Sequence, residues 1–154
     1  MITTLLIIHA LLAVTLLGAI THQAVSVWLP APAASGSFVT RFRAVPGTSY
    51  ANAVVLLYAA TMTLGAIIYP TYRVTVRIML EQLRMNAANG LFELKEHFAV
   101  IGLLLLPAYW YFWRKPLDPS QQTTRAGLTT ILALIVWWSF IVGHILNNIR
   151  GFGS

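Results

Sequence analysis

The chain has 154 residues, of which 58% are hydrophobic, 12% aromatic and only 9% charged. Soluble domains carry about 25% charged residues, so this composition excludes an ordinary water-soluble enzyme, and it is too apolar for a disordered chain. The net charge of +6 contains no basic run longer than two residues, which points to cations flanking membrane segments and excludes a nucleic-acid partner; the absence of cysteine removes disulfides, thiolate metal sites and c-type haem attachment.

A helix needs roughly 20 apolar residues to cross the hydrocarbon core, and four stretches qualify. The first runs over residues 2–28 without Lys, Arg, Asp or Glu. It lacks the basic n-region of a signal peptide and reads as a retained helix that stops at Leu29-Pro30-Ala31-Pro32, where the prolines lack amide donors. Residues 30–48, rich in Pro, Ala, Ser and Gly, read as an extramembrane loop. The second span covers 49–69, with Pro70 kinking or ending it. Over 71–88, Arg73, Arg77, Glu81 and Arg84 fall three or four apart among apolar residues, the pattern of an amphipathic interfacial extension that Asn89-Gly90 breaks. The third span covers 91–113 and closes on Tyr109-Trp110-Tyr111-Phe112-Trp113 before Arg114-Lys115, an aromatic and cationic membrane interface. The fourth covers 125–148. Short connections make sequential helices antiparallel neighbours, so the expected fold is a single all-α domain: an integral membrane four-helix bundle with both termini on one side. Arg and Lys divide five against five between its two ends, which leaves sidedness open; a bacterial-type inner membrane is the expected location.

Ionisable residues inside membrane helices are expensive and are functional candidates by default. His9, His97 and His144 each lie about six or seven positions from the centre of their spans, roughly 10 Å from the midplane at ~1.5 Å per residue, all toward the termini. Bis-imidazole ligation of a b-type haem needs two histidines at one depth on facing helices. His97 and His144, on short-linked neighbours, are the expected ligands, with His9 the alternate. His22 lies toward the opposite end, on a face with Thr15, Gly18 and Ser26 that reads as a polar helix-helix seam. Glu93, four residues before His97, shares its face and is expected either to orient a ligand or carry protons, or to sit in a first helical turn where negative charge is favoured. Trp137, seven before His144, is expected to pack on a macrocycle, another helix or a partner.

The expected function is a small cytochrome b-like subunit that binds one haem and passes electrons, with a quinone site lined by Tyr69, Tyr72, Arg73 and Glu93, inside a larger complex of membrane subunits. One alternative is a cofactor-free accessory subunit of a respiratory or photosynthetic assembly. Another is an intramembrane metal, porphyrin or lipid-handling enzyme: the placement of His9 in the first span and Lys95 at the opening of a later one resembles small four-helix haem-associated membrane proteins of the porphyrin-oxidising and copper-resistance types. The likeness covers those two positions, and nothing is carried over from it.

Overall fold

The computed structural model describes residues 2–29, 36–114 and 117–152, with 43 and 149–152 described by their backbone; the expected Pro30-Ala31-Pro32 turn and Lys115 lie outside these. The described residues are helical without strands: α1 (Ile2–Trp28), α2 (Phe38–Arg43), α3 (Thr48–Thr71), a π-turn (Tyr72–Val76), α4 (Arg77–Gln82), α5 (Asn86–Trp113), a 3₁₀ turn (Pro119–Gln121) and α6 (Gln122–Phe152). α1 packs on α3 and α6, and α5 packs on the same two helices. Side-chain contacts make each neighbouring pair antiparallel. Gln23 reaches Gly47 while His9 faces Gly65, Trp110 reaches Asn52 while Tyr72 reaches Asn89, and Trp28 reaches Thr130. The starts of α1 and α5 and the ends of α3 and α6 therefore share one end of the molecule. Ile20, Val54, Tyr109 and Leu132 form the centre of the core.

Three helical stretches among the described residues are long and apolar enough to cross a membrane: Ile2–Trp28, Thr48–Gln82 and Pro119–Asn148. α5 does not reach that measure. Glu93, Lys95, Glu96 and His97 occupy its first half and aromatic residues its last turns, leaving Phe98–Leu106 as its uninterrupted apolar run.

Local structure departs from the sequence reading in three places. Within the expected loop 30–48, Phe38–Arg43 forms α2, because the Ser37 hydroxyl accepts from the Thr40 amide and Phe38 and Phe42, one turn apart, stack at 6.2 Å. Pro70 does not end α3; the backbone runs one residue past it and then widens into the π-turn, a feature that recurs at functional sites. The helix break falls at Leu83–Met85, not at Asn89-Gly90, which lies inside α5. Arg84 takes a left-handed conformation (φ 56°), with the Arg84 amide donating to the Glu81 carbonyl at 3.0 Å and the Met85 amide to the Leu80 carbonyl at 2.8 Å. This pair of bonds caps the last carbonyls of α4 in the way glycine usually does.

Candidate functional site

The polar residues of the terminal end gather where α3, the π-turn and α5 meet. Tyr72 stacks on Phe92 at 3.6 Å with rings nearly parallel, and Tyr69 stacks on both. The Arg73 guanidinium lies 5.9 Å over Tyr69, an arrangement that binds through the ring quadrupole. Tyr72 donates to the Asn89 side chain at 3.3 Å. Beside this stack Arg77 holds two carboxylates, Glu81 at 2.8 Å and Glu93 at 3.1 Å, tying α4 to α5. Glu93 therefore has an arginine partner on another helix, on the exposed side of the cluster.

Deeper in, Lys95 pairs with Glu96 and lies 4.6 Å over the Phe92 ring. Neighbouring positions on a helix point ~100° apart, so both chains must bend toward each other to meet; the Lys95 side chain is only 16% exposed. His9 of α1 has its ring half-buried against Gly65, with Nδ1 unpartnered among the described residues. His9 of α1 and the Lys95–Glu96 pair of α5 are thus partly buried titratable groups at the same end of the bundle. The aromatic stack offers a flat surface, the ion pair and imidazole offer hydrogen bonds, and together they suit a planar ring with polar edges.

The other two histidines point elsewhere. Phe98 meets Trp138 at 6.2 Å and Trp113 donates to Thr129 at 2.9 Å, a register that sets His97 and His144 within about a helical turn of one level. His9 shares that level through Gly65 and the α3–α5 contacts. Both His97 and His144 are exposed. His97 lies ~160° around α5 from Ala99, whose carbonyl accepts from the buried Tyr58 of α3, so it faces away from the core. His144 stands near Asn148 of its own helix at 3.3 Å and over Phe140. Among the described residues no three His, Asp or Glu side chains group closely enough to hold a bare metal ion. Trp137 turns to α1, donating to the Thr21 hydroxyl at 3.0 Å.

At the opposite end the polar residues serve the fold. The Nε2–H of His22 donates to the Phe42 carbonyl at 2.9 Å, and its ring packs 4.4 Å from Tyr50. Tyr109 donates to Gln23, which donates to the Gly47 carbonyl at 3.0 Å. Arg125, 4% exposed, donates to the Asp118 carbonyl and to Gln122. Sequence reasoning missed Phe92, Arg77, Asn89 and Gln23. Helical spacing gives a usable signal for the first: Phe92 lies four residues before Glu96 and three before Lys95. For Arg77 the four-residue spacing to Glu81 gives its ion pair on α4 but not the one to Glu93, and Asn89 and Gln23 carry no signal.

No family model, curated protein or solved structure matches this chain. Function rests on the site.

Proposed function

We propose that the chain is an integral membrane subunit of an electron-transfer complex, set in a bacterial-type inner membrane and presenting a b-type haem site to a neighbouring subunit. α5 runs beside α3 and α6 over its whole length, from Asn89 to Trp113, so it crosses wherever they cross, and the bundle has four spans. One observation carries the haem reading: His97 and His144 stand at one level on adjacent helices and are both exposed, His97 beside Glu93, Leu94 and Ile101 and His144 beside Ile141, Ile145 and Asn148. A histidine exposed at that level is an available axial ligand for a haem held between this bundle and a neighbouring subunit. His97 or His144 supplies an imidazole, the partner subunit closes the pocket, and the haem, when bound, supplies one-electron redox chemistry. The stack of Tyr69, Tyr72 and Phe92, with Arg73, Lys95 and His9 around it, takes the quinone head.

The test is a reduced-minus-oxidised spectrum and pyridine haemochrome assay on the complex purified from native membranes. A b-type α-band near one haem per chain is expected, lost in His97→Ala or His144→Ala and kept in His22→Ala. Full haem occupancy in both of the first two variants contradicts the assignment. Two other readings each have an observation in their favour. Exposed large apolar side chains along all four long helices, such as Leu11, Leu56, Leu104 and Leu134, suit a cofactor-free accessory subunit, which a blank spectrum of the intact complex would put first. The partly buried His9 and Lys95 at one end of the bundle suit an enzyme acting on a porphyrin or lipid within the bilayer.

A further inference from the structure

The outer face of α1 carries a groove of about 480 Å³, within the ~300–1,000 Å³ range of small-ligand sites. Val14, Gly18, Thr21, Val25 and Leu29 run along it, walled by Trp137 of α6 and Phe42 of α2. The spacing follows one helical face from the middle of α1 to its end, about 22 Å at ~1.5 Å per residue. In a bilayer whose core is ~30 Å thick, that path leads from the midplane to the headgroups of one leaflet. Among the described residues nothing fills it at Gly18, where a Cβ would meet no atom within 4 Å. At the headgroup end His22, 8% exposed, lines the groove with Nε2 committed to α2 and Nδ1 unpartnered. Over the mouth lies α2, with Arg41 exposed between the exposed Phe38 and Phe42. Of the helices that frame this end of the groove, α1 and α2 carry Arg41 and Arg43 and no Asp or Glu.

We propose that this groove holds one tail of an anionic phospholipid whose phosphate lies against α2 at Arg41. Lipid tails are as apolar as the groove walls, so burial alone gives no preference over the surrounding bilayer. Shape at Gly18 and charge at Arg41 set the selectivity, and aromatic side chains of α2 beside a basic residue suit the interface. Such a site exists only if the helices lie in a membrane as proposed above, and it is independent of the haem.

The experiment uses the full chain, purified in mild detergent, delipidated, and offered phosphatidylglycerol or phosphatidylcholine of identical tails for native mass spectrometry. One phosphatidylglycerol per chain is expected to remain, in preference to phosphatidylcholine. Gly18→Leu enters open space and replaces a poor helix former, so the fold is kept with melting unchanged or raised while the retained lipid falls at least tenfold. Arg41→Gln lowers the preference for the anionic lipid about fivefold without abolishing tail binding. Equal retention of the two lipids by the wild type, an adduct indifferent to Gly18→Leu, or an isoprenoid quinone as the co-purified occupant overturns the proposal. A carbonate wash of native membranes separates the two failures: a chain that stays in the pellet without a bound lipid refutes the lipid site alone, and a chain released by the wash refutes the membrane placement as well.

Discussion

Replacing Gly102 by alanine tests the junction at which α5 meets both α3 and α6. A Cβ there would overlap the Tyr58 hydroxyl, approach Tyr58 Cζ to 2.7 Å and Ile135 Cγ2 to 3.2 Å. Tyr58 is 3% exposed, and its hydroxyl donates to the Ala99 carbonyl at 2.9 Å, so the ring cannot swing aside without giving up that bond. Gly18 is the matched control, because its Cβ position is open. Both substitutions gain the same ~0.8–1.0 kcal/mol of helix propensity, which cancels in the difference between them. What remains is overpacking, ~1–3 kcal/mol, plus an interhelical hydrogen bond averaging ~0.6 kcal/mol in membrane proteins. Gly102→Ala should therefore be about 1.5–3.5 kcal/mol less stable than Gly18→Ala. Unfolding in mixed micelles with increasing dodecyl sulfate, followed by circular dichroism, measures it. Adding Tyr58→Phe to Gly102→Ala removes the hydroxyl overlap but not the Cζ contact, so it should recover only part of the loss. Stabilities of the two glycine variants that agree within about 0.5 kcal/mol would refute the packing described for α3, α5 and α6.

Arg84→Gly should stabilise the chain by about 1–2 kcal/mol in the same assay, since it relieves a left-handed backbone that L-residues adopt at that cost. Gln23→Leu should destabilise it by about 1–3 kcal/mol, because it strands the buried Tyr109 hydroxyl and leaves the Gly47 carbonyl without its Gln23 donor. Tyr109→Phe should cost less, and coupling between the two should appear in a double-mutant cycle. Hydrogen bonds from the Ser120 hydroxyl and amide hold the Asp118 carboxyl below its ordinary range. A depressed acid stabilises the fold above its unfolded value, ~3.9, and that contribution is lost as pH falls through the folded value. Carboxyl chemical-shift titration should place this loss at higher pH in Ser120→Ala than in the wild type; an unchanged titration would show that the cap is not formed.

The all-helical class and three helices able to cross a membrane follow from composition and from the length of the apolar runs, because no soluble or disordered chain has that makeup. Tyr69, Tyr72 and Arg73 were legible as a group for a similar reason, being neighbours on one helical segment. Their completion by Phe92 was not, since it depends on which turn of α5 meets the π-turn. The break at Arg84 escaped the sequence because arginine has no preference for the left-handed region, and Asn89-Gly90 misled because a turn-prone pair inside a well-packed helix can stay helical.

The level of each histidine along the bundle is linear in residue number, so the common level of His9, His97 and His144 could be read from spacing. Which way each one faces could not. In a water-soluble helix the polar stripe marks the outside, but a chain bathed in lipid is apolar on both faces, and its periodicity does not distinguish core from surface. Helix rotation is set instead by a few close contacts, Tyr58 against Gly102 and Tyr109 on Gln23 among them. Those contacts turned His9 inward against Gly65 and left His97 and His144 facing out, and only the packed structure could decide it.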